Sequence, residues 1–241
     1  MVELFGTEHG LARHSELAEL AHAAGISVDP ISDKAAAGLS ETVTPQGLIA
    51  VCRRVDTSLA GVLGRRPALV AALVETNDPG NAGTVLRTAD AAGADAVIAT
   101  GGVDPYNGKA VRASAGSLFH LDVVLDVDPL DLLEQARAAG LSCLATSGAG
   151  GRDLDGLIDH GQLAGPTLWL FGSESHGLPP EVLAAADRSV RIPIHGRAES
   201  LNLAAAAAVC LYASARAHRA RHGLAAGADD HTAERTEPHS V

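Results

Sequence analysis

The chain is 241 residues long, carries a net charge of −11, and is 46% hydrophobic but only 2% aromatic. That length admits one medium domain or a small domain joined to a larger one, and the acidic balance argues against a protein that coats a polyanion over its whole surface. With so few aromatics, Ala, Val and Leu must fill the core, which suits helices laid on a parallel sheet.

In chain order, LARHSELAELAHAA (11–24) sets Leu11, Leu17 and Leu20 at roughly helical spacing, with Gly25 placed to end the helix. ISVDPIS (26–32) predicts a short strand, DKAAAGLSE (33–41) a short helix and GLIAVCRRV (47–55) a strand, so residues 1–60 read as a small α/β module. The polar, turn-rich run DTSLAGVLGRRP closes at Pro67, and residues 61–67 of it read as a linker. From Ala68 the rhythm changes. ALVAALVE, DAVIATG, HLDVVLDV, LSCLATS, PTLWLF and SVRIPIHG predict strands, and TVLRTADAAG, PLDLLEQARAAG, PPEVLAAAD and a long segment from Ser200 to Arg221 predict helices. Such alternation predicts an α/β domain over 68–220, a parallel sheet with helices on both faces. Residues 221–241 lack periodicity and are expected to be a disordered tail.

From Gly223 onward four acidic residues (Asp229, Asp230, Glu234, Glu237) face only Arg235, whereas arginines cluster before it, as in Arg53/Arg54 and Arg216/Arg219/Arg221. A local basic surface is therefore compatible with the acidic total. The N-terminus has no basic segment followed by an apolar stretch, and the apolar run 201–211 is well short of the ~20 residues a bilayer span needs. Cys52, Cys143 and Cys210 show no metal-ligand spacing and are expected as buried thiols of a cytoplasmic protein, with no metal and no membrane association.

Three loops at the C-terminal ends of predicted strands hold the unusual residues, where ligands bind in open α/β sheets. In NDPGNAGT (77–84), glycines allow close backbone approach and the following helix offers free N–H groups, although Asn81 as a helix cap and Arg87 as a solvated side chain fit equally. The spacing is not GxGxxG. In FGSESHGLP (171–179), Ser175 misses the GxSxG elbow by one residue, and Glu174, arriving after the apolar run LWLF, must find a partner. His176 and His195 lack a ligand pairing. In the stretch 192–203, Ser200 or Asn202 can cap the long helix, but one cap does not need Glu199, Ser200 and Asn202 together, and the polar surplus favours a site.

In this order and spacing the three loops resemble the motifs of the SpoU (TrmH-like) branch of the SPOUT RNA 2′-O-ribose methyltransferases. The first runs from Asn81 to Arg87, Thr88 and Ala89 and closes at Gly93, the second is FGSESHGL, and the third joins Ile192, Pro193 and Ile194 to Glu199, Ser200, Leu201 and Asn202. The resemblance covers about 68–218, and DPYNGKAVRASAGSLFH (104–120) is similar to members acting on ribosomal RNA. It implies a C-terminal trefoil knot, a homodimer, and S-adenosylmethionine held by Thr146, Leu170, Gly172, Glu174, Ile192, Ile194, Ser200, Leu201 and Asn202. Residues 1–60, most clearly LSETVTPQGLIAV, resemble part of a ribosomal-protein-L30e-like RNA-binding module.

The implied reaction methylates a ribose 2′-hydroxyl, in ribosomal RNA by preference over transfer RNA, with Arg87 as base or orienting cation. A guanidinium stays protonated, which favours orientation. Asn81 and Ser200 would position ribose and phosphate, Glu174 and Asn202 would brace the loops, and Lys109 and Arg112 would join Arg87 in contacting RNA. The rival readings are a nicotinamide oxidoreductase, which lacks its fingerprint, and a non-catalytic RNA-binding protein on the same fold.

Overall fold

The computed structural model describes residues 1–40, 42 and 45–233, with backbone alone beyond residue 221. It divides into two compact units, Met1–Val55 and Asp56–Val241.

In the first unit, β1 (Glu3–Gly6) lies between β2 (Ser27–Pro30), to which it runs parallel, and β3 (Leu48–Val51), to which it runs antiparallel. The helix expected over 11–24 is instead two, α1 (Glu8–Arg13) and α2 (Ser15–Ala23), parted by a non-helical His14. Thr7 starts α1 by accepting from the Gly10 N–H at 3.0 Å. A β-carbon on Gly10 would lie 2.4 Å from the Gly47 carbonyl oxygen, so only glycine lets α1 press on the turn before β3. Ser32 caps α3 (Asp33–Leu39), and the last residue of the helix expected there, Glu41, lies outside the described residues.

The second unit opens on α4 (Leu59–Gly64), which corrects the expected linker. Ser58 caps it, and Leu59, Val62 and Leu63 are buried in the core, an i, i+3, i+4 pattern masked in the sequence by two glycines. There follow β4 (Leu69–Leu73), α5 (Pro79–Ala92), β5 (Ala96–Ala99), α6 (Gly108–Ser114), a 3₁₀ turn (Ser117–Phe119), β6 (Asp122–Leu125), α7 (Pro129–Ala138) and β7 (Ser142–Thr146). The chain continues through β8 (Arg152–Asp153), α8 (Leu154–Asp159), β9 (Thr167–Phe171), α9 (Pro180–Ala185), β10 (Arg188–Arg191) and α10 (Leu203–Ala233). Helical backbone through 221–233 replaces the irregular tail expected there, and residues 234–241 lie outside the described residues.

The seven strands stand in the order β6-β5-β4-β9-β7-β10-β8, and all their pairings are parallel. Both faces are covered, which is why the strands read as unbroken apolar runs. Along β4, Leu69, Ala71 and Leu73 face one helical layer, with α5, α8 and α10, while Val70 and Ala72 face the other, with α4, α7 and α9. Trp169 and Phe171 are fully buried in the first layer, ring centroids 6.4 Å apart, and the Trp169 indole N–H donates to the buried Ser214 hydroxyl at 2.9 Å. That bond satisfies two buried polar groups and fixes α10 on the sheet.

Candidate active site

The sheet order brings the three loops together. β4, β9, β7 and β10 are consecutive neighbours, so their C-terminal ends, at Leu73, Phe171, Thr146 and Arg191, form one rim. The chain runs outward from β4 to β6 and returns to place β9 on the other side of β4, a reversal of strand order that opens a crevice.

At that rim a continuous hydrogen-bond chain joins all three loops. Asp78, not Asn81, caps α5: its carboxylate accepts from the Gly80 N–H at 2.7 Å, and Pro79 occupies the first helical turn. This leaves the Asn81 carboxamide free to point outward, where its Nδ2 donates to Glu174 Oε1 at 2.6 Å. Asn202 Nδ2 donates to Asn81 Oδ1 at 3.0 Å, and Asn202 Oδ1 accepts from the Ala204 and Ala205 N–H groups at 2.9 and 3.3 Å, capping α10. The direction of the chain is forced at both ends. A helix N-terminus can only donate and an ionised carboxylate can only accept, so both amides are held in one orientation. Glu174 thus finds its partner in Asn81, and Asn202 is at once a cap and a member of the site.

The second loop folds back on itself. Ser173 and Gly177 exchange backbone bonds of 3.1 and 2.9 Å, and Gly177 adopts φ +69°. A β-carbon on Gly172 would fall 2.2 Å from the Gly177 carbonyl carbon, so the return path requires glycine at 172. Between this loop, the end of β7 and the third loop lies a cleft of about 880 Å³, within the range of small-molecule sites. Thr146, Gly172, Glu174, Ile192, Ile194, Ser200, Leu201 and Asn202 all line it, and Leu178, Leu183 and Val190 supply apolar wall. Leu170 does not: its side chain is fully buried, and its carbonyl accepts the Thr146 hydroxyl at 2.9 Å. Ile192, Ile194, Ser200 and Leu201 sit in irregular backbone, outside the ladders that would otherwise consume their N–H and C=O groups.

Asp153 and Arg191, neither anticipated, also line the cleft and form an ion pair at 2.8 Å, which holds the Asp153 carboxyl below its ordinary range. The signal was present in the charged ends of two adjacent strands, but their adjacency is a property of the fold.

The basic residues expected to contact RNA lie on α5 and α6, outside the lining of the cleft. Arg87 is exposed on α5 and has no ion pair among the described residues. Close packing sets α6 against the start of α5: a β-carbon on Gly83 would lie 2.3 Å from the Ala110 carbonyl oxygen. Lys109 is carried to within 2.8 Å of Asp78, and the Lys109 ammonium holds the Asp78 carboxyl below its ordinary range. Arg112 lies one turn further along α6. Among the described residues no three His, Cys, Asp or Glu side chains gather as metal ligands, and no helix is long and apolar enough to cross a membrane. Cys52 is exposed, contrary to expectation, while Cys143 and Cys210 are buried.

Residues 68–212 match the model of the SpoU rRNA Methylase family, and residues 1–58 match that described as RNA 2′-O ribose methyltransferase substrate binding. The chain belongs to the SpoU rRNA methylase family. It is 36% identical over 189 residues, 78% of this chain and 72% of the other, to the 23S rRNA (guanosine(2553)-2′-O)-methyltransferase RlmP of Bacillus subtilis. Over 66% of this chain and 80% of the relative it is 39% identical to the tRNA (guanosine(18)-2′-O)-methyltransferase of Thermus thermophilus. Among solved structures it is similar to the AdoMet-bound rRNA methyltransferase from Sinorhizobium meliloti, with TM-score 0.77 and 31% identity over 89% of this chain and 79% of that one. In this SpoU chain the second and third motifs line the cleft, and Asn81 of the first is hydrogen-bonded to Glu174 and Asn202 of its lining.

Proposed function

We propose that this protein transfers a methyl group from S-adenosylmethionine to a ribose 2′-hydroxyl of RNA, with ribosomal RNA as substrate. The observation that carries the reading is the Asn202–Asn81–Glu174 chain, two of whose members line the cleft, which joins the three family motifs by hydrogen bonds.

The cleft fits the cofactor by its size, its apolar wall and the irregular backbone at Ile192, Ile194, Ser200 and Leu201. Thr146, Gly172, Glu174 and Asn202 complete the binding surface, with Leu170 acting only through its contact to Thr146. When bound, S-adenosylmethionine supplies an electrophilic methyl group on a sulfonium. The chain's own residues do the rest. Arg87, a guanidinium cation, orients the 2′-hydroxyl and stabilises the negative charge that develops on its oxygen as the hydroxyl proton passes to solvent water. Asn81 and Ser200 position ribose and phosphate, held by the brace that Glu174 and Asn202 supply. Arg112 contacts the RNA backbone, a register-setting rather than a sequence-reading contact.

The SpoU unit over 68–220 is read as a C-terminal trefoil knot, and residues 1–60 as an L30e-like RNA-binding module, in a cytoplasmic enzyme. The homodimer of the family is supported here by large apolar side chains exposed one turn apart on α10: Val209 and Tyr212 are 42% and 47% exposed. Light scattering checks it, and a monomer contradicts it.

Incubating the protein with methyl-labelled S-adenosylmethionine and separated ribosomal and transfer RNA tests the function. Label recovered as a 2′-O-methylnucleoside from ribosomal RNA supports the reading. Label in transfer RNA alone moves the substrate to the class of the Thermus relative, and RNA binding without transfer to either overturns the enzyme.

A further inference from the structure

We propose that Lys109, acting through Asp78, is a positioning residue for Asn81 rather than a contact to RNA phosphate; this rests on the assignment of Asn81 to the methyl-transfer site. The sequence groups Lys109 with Arg112 as a basic pair facing nucleic acid, but the structure commits its ammonium elsewhere. Its Nζ donates to Asp78 Oδ1 at 2.8 Å, and the same oxygen accepts from the Gly80 N–H at 2.7 Å.

Two consequences follow from that shared oxygen. The carboxylate that starts α5 is neutralised from α6, so the cap and the ion pair are one device. Gly80 sits in the corner between them: a β-carbon there would meet Asp78 Oδ1 and the Lys109 ε-carbon, each at 3.1 Å. One residue further on, Asn81 is the middle member of the chain from Asn202 to Glu174, and two residues beyond it Gly83 packs on the backbone of Ala110, the neighbour of Lys109. The first turn of α5 is therefore fixed to α6 on both sides of Asn81, by an ion pair before it and by a close backbone approach after it. The clamp has a place in catalysis because the amide it steadies must present fixed donors and acceptors to two partners and to substrate.

The Asp78 carboxyl lies below its ordinary range mainly because of the Lys109 hydrogen bond, and next because of the Gly80 N–H. The pair is exposed, so its effect on global stability is small. Its expected effect is on geometry.

The test uses the full chain and three variants. Asp78→Asn keeps an acceptor for the Gly80 N–H and removes the charge; Lys109→Met removes the cation; Lys109→Arg restores one. Positioning requires that Asp78→Asn and Lys109→Met each lower kcat about fivefold, with KM for RNA and the salt dependence of RNA binding unchanged. Their combination must cost no more than either alone, since both break one link, and Lys109→Arg must recover most of the loss. A phosphate contact gives the opposite pattern. Lys109→Met then raises KM for RNA and reduces the slope of log affinity against log salt by about one, while Asp78→Asn frees Lys109 and leaves RNA binding intact or tighter. That outcome overturns the proposal. Nitrogen-15 spectra of the Asn81 side-chain amide supply a readout independent of turnover. Both single variants must move that resonance and Lys109→Arg must move it less; a stationary resonance overturns the clamp even in a protein that proves not to methylate RNA. If the wild-type chain transfers no methyl group while the resonance still responds, the clamp stands and the methyl-transfer reading is what has failed.

Discussion

Asn202 performs two tasks with two different atoms, and substitutions can separate them. Its Oδ1 caps α10 through the Ala204 and Ala205 N–H groups, and its Nδ2 donates to Asn81 Oδ1 at 3.0 Å. Asn202→Ala removes both, and loss of a cap costs about 1 kcal/mol, which for a domain of this size is a fall in Tm of about 3 °C. Asn202→Asp keeps a cap acceptor at a helix N-terminus, where negative charge is favourable. It therefore melts at or above the wild-type temperature. It also replaces the donor facing Asn81 with an acceptor, so two oxygens meet 3.0 Å apart where a hydrogen bond stood. Asn81 must then turn or withdraw, and the amide that faces Glu174 loses its orientation. A displacement of about 1 Å at a reacting site costs about 10²-fold in rate, so single-turnover methyl transfer by Asn202→Asp is expected to fall by that order while the protein stays fully folded. Asn202→Ser caps the helix but is too short to reach Asn81, and it should show the same split. Thermal melting beside single-turnover kinetics checks all three. An Asn202→Asp enzyme with wild-type rate, or an Asn202→Ser protein as unstable as Asn202→Ala, would refute the reasoning.

Arg87→Ala is expected to abolish methyl transfer with cofactor affinity nearly unchanged, since Arg87 lies outside the cleft; calorimetry beside turnover checks it, and full activity sinks the assignment. Gly172→Ala places a β-carbon 2.2 Å from the Gly177 carbonyl carbon, so the loop must open and S-adenosylmethionine affinity should fall at least tenfold by calorimetry, with ~1–3 kcal/mol lost from stability. Burial pushes the Cys143 thiol up to about 12, so iodoacetamide at pH 8 should label exposed Cys52 and spare Cys143 and Cys210 in the folded protein, as read by mass spectrometry. Burial of Asp187 opposes its ionisation, but the Cys143 N–H and the Arg137 guanidinium outweigh it and hold the carboxyl below its ordinary range. A depressed carboxyl stabilises the fold above its unfolded pKa, about 3.9, and that stability is lost as pH falls through the lower folded value. Asp187→Asn should therefore be less stable at neutral pH and lose less on acidification below pH ~4, in urea titrations across pH.

The larger unit was legible because its strands are buried on both faces. Apolar runs such as ALVAALV and TLWLF admit no other half-buried reading, and Asp128-Pro129 and Asp78-Pro79 mark helix starts by an acceptor followed by a residue with no N–H to leave unpaired. At the second, Asn81 competes in the sequence as a cap three residues later, because the glycines on either side of it resemble loop. The four-residue β1 has too few positions to show a period, and α4 and α6 each dilute their apolar stripe with glycine, serine or charge. The three motifs could each be found, and so could the surplus of polar groups. Their union could not, because the pairing of β4 with β9 and of β9 with β7 joins segments about a hundred residues and about twenty-five residues apart. The Asp78–Lys109 and Asp153–Arg191 pairs were hidden for the same reason: each needs two elements placed side by side by the fold.

The central claim is methyl transfer to a ribose 2′-hydroxyl at the cleft where the three loops meet. The most direct measurement is mass spectrometry of nucleosides from ribosomal RNA incubated with S-adenosylmethionine and either the wild-type chain or Arg87→Ala. A 2′-O-methylnucleoside formed by the wild type and absent with Arg87→Ala is the result this account requires. A methyl group found on a base, or an equal yield from the two proteins, would contradict it.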